Sequence, residues 1–417
     1  MTERVFVIVG ASLAGAKAAE TLRAEGFDGR IVLVGAEDEL PYERPPLSKG
    51  YLLGKEPREK AFLHDAAFYQ EQNIELRLGT RATALDPTAH TVTLDGGEKL
   101  TYTKLLLATG SSVKELELPG SEGPRVHYLR TIGHSDALGA TLRKGDPVVV
   151  VGAGWIGLET AAAAREHGCD VTVVETDTLP LRHVLGDEVA AIFRDLHQAH
   201  GVDFHFDAEV REFGGIGDRI THAVLDDNVE VPAGAALIAV GISPNVALAK
   251  AAGLRVDDGV VTDAALVTSD PDVYACGDVA SSFNPLLNRH LRVEHWANAL
   301  NGGPAAARSM LGQEVSYDRV PYFFTDQYDL GMEMSGWFPR GGYDRVVFRG
   351  DPSVVDGKAP EFVAFWTRRG HVLAGMNVNV WDVTDDIQRL VRAGYTGRDV
   401  DLDRLADPSV PLGSLLD

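Results

Sequence analysis

Pro147-Val-Val-Val-Val151-Gly-Ala-Gly-Trp-Ile-Gly157 is the stretch from which the fold of this chain is read. A run of four valines suits a parallel strand covered on both faces, and the glycines that follow suit a sharp turn into a helix. The helical pattern continues to about Gly168, and Val171-Thr-Val-Val-Glu175 reads as the next strand. The glycines have separate tasks. Gly152 permits the tight turn, Gly154 lets a pyrophosphate approach the backbone, and Gly157 lets the helix pack on the strand. Ile156 lies in the same turn, at the helix N-terminus that would face the phosphates. Glu175 ends the second strand eighteen residues past Gly157, where a carboxylate can accept the hydroxyls of an adenosine ribose. A 2′-phosphate at that place would repel the carboxylate by about 4 kcal/mol at an effective dielectric near 20. The nearest arginine in sequence, Arg182, comes only after Thr176, Asp177 and Thr178, so NADH is expected rather than NADPH.

The same order of elements occurs 142 residues earlier. Arg4-Val-Phe-Val-Ile-Val-Gly10 reads as a buried strand and Ala11-Ser12-Leu-Ala14-Gly15 as the turn. A helix runs from Ala16 to about Gly26, and Arg30-Ile-Val-Leu-Val34 is the second strand. This copy is less regular: Ser12 occupies the place of the second glycine, where a side chain crowds a pyrophosphate. Gly35 stands where the strand-end acid belongs, and Glu37 follows two residues later. The copy is therefore either a second dinucleotide site or a structural turn. Further buried strands are expected at Lys104–Ala108, ending at Thr109-Gly110, and at Ala236–Val240, ending at Gly241. Another is expected at Val273-Tyr-Ala-Cys-Gly277-Asp278, a short strand meeting a helix start. Beyond Tyr317 the texture changes to short aromatic and valine-rich segments, with a helix opened and capped at Thr384-Asp-Asp. This predicts an antiparallel α+β domain.

Composition sets limits on function. The 417 residues carry 39 Lys and Arg against 61 Asp and Glu, a formal charge of -22, which disfavours nonspecific attraction to nucleic acid or anionic membrane. Two cysteines, Cys169 and Cys276, provide neither a disulfide framework nor a four-thiolate metal site, so no metal centre is expected. No apolar run reaches the length of a membrane span, and the N-terminus lacks a signal pattern, so a cytoplasmic chain is expected.

Taken together, the two fingerprints, Leu107-Ala-Thr109-Gly110, Gly241-Ile-Ser-Pro-Asn245 and Thr268-Ser-Asp-Pro-Asp-Val-Tyr-Ala-Cys-Gly277-Asp278 resemble the FAD-dependent pyridine-nucleotide oxidoreductases. Pro41-Tyr-Glu-Arg44-Pro-Pro-Leu-Ser-Lys49, Tyr128-Leu-Arg130-Thr131 and Phe323-Phe-Thr-Asp-Gln-Tyr328 narrow the resemblance. They are similar to the oxygenase-coupled NADH:ferredoxin reductases of the putidaredoxin reductase and biphenyl dioxygenase reductase type. Disulfide reductases of this fold carry paired redox cysteines after the first fingerprint, whereas Leu40 to Gly54 contains none. The resemblance implies a glutathione-reductase-like α/β fold with two Rossmann-like domains, the NAD domain inserted in the FAD domain, and a C-terminal α+β domain. The boundaries expected are 1-114 and 241-318 for FAD, 115-240 for NAD and 319-417 for the third domain.

The resemblance also implies roles for individual residues. Gly10, Ser12, Ala14 and Gly15 would face the FAD pyrophosphate, Glu37 its ribose and the Ala82 backbone its adenine. Thr109, Gly110 and Gly277 would line the FAD site, and Gly241 lies in the cofactor-binding set. Arg44, Lys49 and Arg130 would lie in the flavin region. Asp278 would accept ribityl or phosphate-linked hydroxyls, or act as a helix cap. Trp296 would pack on the isoalloxazine or serve as a core aromatic. Lys49 and Glu159 would pair near flavin N5. The alternatives are a solvated lysine and an acid in a helix first turn. Trp155 would stack near nicotinamide or simply pack, and Cys276 would be either flavin-adjacent or a small core residue.

The implied reaction is hydride transfer from NADH to FAD. Two single-electron transfers to a [2Fe–2S] ferredoxin follow, feeding a cytochrome P450 or ring-hydroxylating dioxygenase. An NADH oxidase or quinone reductase, and a binding protein of the apoptosis-inducing-factor type that responds to NADH, are the other readings of the scaffold. Because such ferredoxins are acidic, a docking patch is expected from Arg340, Arg345, Arg349, Arg368 and Arg369.

Overall fold

The computed structural model describes residues 4–217 and 219–416. Two compact units are present. The first comprises Met1–Glu43, Arg58–Ser112 and Ser243–Pro321, and the second Arg44–Pro57, Val113–Ile242 and Tyr322–Asp417.

The first unit is built on a five-stranded parallel sheet in the order Val273–Ala275, Lys104–Leu107, Val5–Val9, Arg30–Val34, Ile74–Arg77. Alternate side chains of these strands go to opposite faces, so a continuous apolar run fills two cores. Ile8, Leu33 and Leu106 pack with Ala18, Leu22 and Ala306 on one side. Val7, Val32 and Leu105 pack with Val92 and Tyr102 on the other. The helix Leu13–Ala24 follows the first strand and packs along Trp296–Met310. A small antiparallel sheet of Ala82–Asp86, Thr91–Leu94 and Lys99–Thr101 completes one side.

The second unit repeats the plan, with parallel strands ordered Val202–His205, Val171–Val174, Val148–Val151, Ala235–Ile238, Val126–His127. The helix Trp155–Glu166 leaves the central strand. The same unit contains the expected antiparallel C-terminal sheet, ordered Tyr322–Gln327, Leu330–Gly336, His371–Val378, Glu361–Arg368, Arg345–Asp351, with the helix Thr384–Tyr395 against it. The α/β architecture is thus the one expected from the sequence.

Three local expectations are corrected. Gly277–Val279 is a single 3₁₀ turn followed at once by the strand Ala280–Asn284, so Asp278 lies inside that turn and does not start an α-helix. Thr384 is the first residue of its helix, not the cap, and its hydroxyl donates to Glu333 Oε2 at 2.7 Å. The strand Leu330–Gly336 lies outside the valine-rich and aromatic segments: Leu330, Met332 and Met334 alternate with Gly331, Glu333 and Ser335, but the stretch has none of the β-branched or aromatic residues that mark a strand. Arg349 also differs from the other arginines of the expected docking patch. Its guanidinium donates to the carbonyls of Leu405, Asp407, Pro408 and Val410, fastening the C-terminal segment to the sheet. Arg349→Met is expected to speed proteolytic cleavage between residues 402 and 416 roughly tenfold, since charge-assisted hydrogen bonds contribute about 1.5–3 kcal/mol. Cleavage at the wild-type rate would show that this segment does not depend on the arginine.

Candidate functional site

In the first unit, register brings the glycine-bearing turns to one sheet edge. Val9 pairs with Val34 and Leu107, and Leu107 with Ala275, so Gly10, Thr109-Gly110 and Gly277-Asp278 all emerge at the carboxyl ends of adjacent strands. That edge is where open parallel sheets bind ligands. Gly10 has φ +123°, and a Cβ there would collide with the Ala108 carbonyl. A Cβ at Gly15 would likewise collide with the Gly10 carbonyl, so the helix starts in close contact with the strand. Ser12 is the helix N-cap residue but its hydroxyl makes no capping bond, and Ala14 and Gly15 are buried in the first turn. Ala14 Cβ lies 3.3 Å from where a Cβ of Gly277 would stand, which sets the Gly277-Asp278 turn beside this helix start.

The remaining predicted residues of this unit are placed as follows. The Glu37 carboxylate accepts a hydrogen bond from Tyr42. Ala82 opens the strand Ala82–Asp86, opposite Leu94. Thr109 is tied to Asn245 twice: its hydroxyl donates to the Asn245 carbonyl at 3.0 Å, and Asn245 Nδ2 donates to its carbonyl at 2.8 Å. Gly110 accepts from the Asn245 amide at 2.9 Å. Asn245, the last residue of the Gly241–Asn245 motif, thus fixes this edge. Trp296 is the first residue of its helix. Cys276 is 1% exposed inside the apolar core, and burial pushes its thiol up to about 12, which fits the core role.

In the second unit, Val151 pairs with Val174 and with Ile238, so the fingerprint, Glu175 and the segment reaching Gly241 share one sheet edge. Gly152 has φ +98°, and a Cβ at Gly157 would collide with the Gly152 carbonyl. Gly154 differs: nothing lies within 4 Å of where its Cβ would be. That open cradle in front of a helix N-terminus fits a dinucleotide pyrophosphate. Glu175 turns toward the fingerprint. Its Oε2 accepts from the Ala153 amide at 2.6 Å, and its Oε1 from the Asp177 amide at 3.0 Å. Arg182 is held by Asp177 at 3.0 Å and Asp187 at 2.5 Å. The cation nearest in sequence to Glu175 is therefore already paired with carboxylates. Ile156 stays 41% exposed beside the cradle, an apolar surface at the helix start. Trp155 packs against Phe323, ring centres 4.6 Å apart, and edge-on to Phe193 at 5.6 Å. Gly241, φ +104°, accepts from the Lys114 amide at 2.9 Å.

The segment Arg44–Pro57 belongs to this second unit and delivers Lys49. Pro45–Ser48 forms a 3₁₀ turn, its prolines fixing φ at the start. Lys49 Nζ pairs with Glu159 Oε1 at 2.6 Å, their side chains 15% and 4% exposed. Glu159 also accepts from the Ser48 hydroxyl and from Thr325 Oγ1 at 2.6 Å. Lys49 is therefore not a solvated lysine. Glu159 is the fifth residue of its helix, outside the first turn. Arg44 donates to the Arg130 carbonyl, linking the two residues through a main-chain atom, and Arg130 directly precedes Thr131, the N-cap of the helix Ile132–Leu142. Ser48 and Thr325 lie inside motifs quoted above, but their role in holding Glu159 has no signature in sequence.

Two glycine turns, each at the carboxyl edge of its own parallel sheet, define an oxidoreductase scaffold that carries two dinucleotides. The chain belongs to the pyridine nucleotide-disulphide oxidoreductase family, whose model matches residues 4–303, and a reductase C-terminal family model matches residues 322–416. The family binds FAD and NAD(H). The ferredoxin–NAD(+) reductase component of the anthranilate 1,2-dioxygenase system of Burkholderia cepacia is 41% identical, over 100% of both chains. Putidaredoxin reductase of Pseudomonas putida is 35% identical, over 98% of this chain and 96% of the relative. The crystal structure of a covalent putidaredoxin reductase–putidaredoxin complex matches with TM-score 0.91 and 34% identity, covering 99% of this chain and 98% of the other. Among the described residues, no helix is long and apolar enough to cross a membrane, and no group of three His, Cys, Asp or Glu is placed to hold a metal ion.

Proposed function

We propose that this chain is an NADH-dependent, FAD-containing ferredoxin reductase. The electron acceptor is a [2Fe–2S] ferredoxin, and the oxygenase it feeds is a cytochrome P450 or a ring-hydroxylating dioxygenase. One observation carries this reading: two dinucleotide cradles occur in a chain whose two cysteines are buried and free. No thiol pair is available to take electrons, so they leave for an external acceptor. The relatives named above, ferredoxin reductases of oxygenase systems, support that acceptor.

The FAD-binding domain is assigned to 1-114 and 241-318, the NAD-binding domain to 115-240 and the C-terminal domain to 319-417. The Gly10–Gly15 turn and Asp278 hold FAD, with Glu37 at its ribose. Gly152–Gly157 holds the NADH pyrophosphate, and Glu175 reads the adenosine ribose while remaining braced by the Ala153 amide. Lys49, anchored by Glu159, places a positive charge for the reduced flavin. Bound FAD supplies the conversion of a two-electron hydride into two single-electron transfers. Neither Lys49 nor Glu159 has to move a proton, because hydride transfer depends chiefly on alignment. Arg345, Arg368 and Arg369 are exposed and stand near one end of the C-terminal sheet, where Arg345 pairs with Thr367 and Arg368 with His371. They offer a cationic contact for the ferredoxin, shared with Asp344, which accepts from the Arg369 amide. A cytoplasmic location accords with two free cysteines.

The test is anaerobic reduction of the purified flavoprotein by NADH, followed by mixing with a panel of [2Fe–2S] ferredoxins that includes putidaredoxin. Rapid bleaching of at least one ferredoxin is expected, with NADPH at least about tenfold poorer than NADH as reductant. Flavin reduction with no transfer to any ferredoxin, or equal use of NADPH, would overturn the corresponding assignment.

A further inference from the structure

Behind the Lys49–Glu159 pair lies a run of buried polar side chains that the reading above does not use. Thr325 Oγ1 donates to Glu159 Oε1 at 2.6 Å, which spends its single proton. It therefore accepts from Gln327 Nε2, at 3.1 Å. Gln327, with its amide nitrogen so committed, turns its oxygen to His197 Nε2 at 2.8 Å, and that nitrogen must carry the imidazole proton. His197 Nδ1 is then the acceptor for the Tyr328 hydroxyl, 3.3 Å away. Burial raises the Tyr328 phenol well above its ordinary range, so it is a donor. Burial also lowers His197 to about 4, so the ring is neutral.

Every link points the same way, from Tyr328 through His197, Gln327 and Thr325 to the carboxylate. Reversing any one would set donor against donor or acceptor against acceptor. Thr325, Gln327 and His197 are each at most 1% exposed, which leaves no solvent to replace a lost partner. Thr325 and Gln327 share a strand face by the two-residue period of Tyr322–Gln327. Tyr328 is held by His200, stacked on it at 3.7 Å. A buried hydrogen-bonded network is rigid, and rigidity here fixes one carboxylate oxygen. That oxygen, Oε1, is the one that Lys49 meets.

We infer that Thr325, Gln327 and His197 are positioning residues that hold Glu159, and through it the Lys49 ammonium, in one place for the flavin. The inference rests on the reading that Lys49 serves the reduced flavin, and the experiment separates the two. The midpoint potential of bound FAD is measured by dye equilibration in Lys49→Met, Thr325→Val, Thr325→Ser and the double variant Lys49→Met/Thr325→Val. Lys49→Met is expected to lower the reduced-to-oxidised ratio at fixed potential about tenfold, ~30 mV for a two-electron couple. Thr325→Val is expected to lower it about threefold, ~15 mV by the same constant. Thr325→Ser, which keeps the hydroxyl, should restore the wild-type value. The double variant should match Lys49→Met alone.

A silent Thr325→Val beside a shifted Lys49→Met overturns the positioning role only. The same result follows if the Thr325→Val shift persists undiminished without the lysine. An unshifted Lys49→Met overturns the flavin reading of the lysine and this inference with it. Gln327→Met, one link further back, provides the same readout if Thr325→Val does not fold.

Discussion

Gly154→Asp is expected to raise the KM for NADH about a thousandfold while leaving FAD content and thermal midpoint at their wild-type values. A carboxylate set against a pyrophosphate costs about 4 kcal/mol per charge pair at an effective dielectric near 20, and each 1.36 kcal/mol is a factor of ten. The fold is spared because no atom lies within 4 Å of where a Cβ at Gly154 would stand. Gly157→Val makes the control. Its side chain would collide with the Gly152 carbonyl, so that variant should lose stability as well as NADH binding. Steady-state kinetics with thermal scans of both variants separate a vacant cradle from a packed crossing. A Gly154→Asp enzyme with ordinary KM would mean that the pyrophosphate does not approach this turn.

Acidification should lower stability through His197, by about 2 kcal/mol between pH 7 and pH 5. The ring is fully buried, and burial is the main cause that takes it from an ordinary 6.5 to about 4; His200 adds to the lowering and the Gln327 bond opposes it. A group whose folded value is depressed leaves the unfolded chain holding more protons between those two values. Stability is therefore full above about pH 6.5 and is lost as pH falls toward 4. His197→Asn, which keeps a donor for Gln327, is expected to be less stable at pH 7 and to have a shallower acid slope. Urea unfolding at pH 7, 6 and 5 reads both. Parallel slopes for the two proteins would show that the acid sensitivity lies elsewhere.

The two predictions fall on opposite sides of what could be read without coordinates. The two βαβ units were legible because the signals are local. A valine run buries itself on both faces, and glycines five residues apart let a helix start against its own strand. The two glycine turns and the antiparallel C-terminal sheet followed from such short-range patterns. Short-range reasoning failed where a residue had more than one possible neighbour. Thr384 and Asp278 are good cap residues by type, yet neither stands at the N-cap of its own element; Thr384 instead bonds Glu333, more than fifty residues away. Arg349, one of five arginines expected to meet a ferredoxin, is occupied by four carbonyls of the C-terminal segment.

By itself the sequence determined the two βαβ units with their glycine turns, the carboxylate that ends the strand after the second turn, and the absence of a thiol pair after the first. Tertiary structure alone decided what holds Glu159. Ser48 and Lys49 reach it across 111 and 110 residues and Thr325 across 166, and the run behind Thr325 passes through a histidine of another helix to Tyr328. Periodicity and spacing report which face of an element is buried. They do not report which distant face it meets, because strand order and helix packing set that, and a buried carboxylate takes its partners from whichever elements those bring to it.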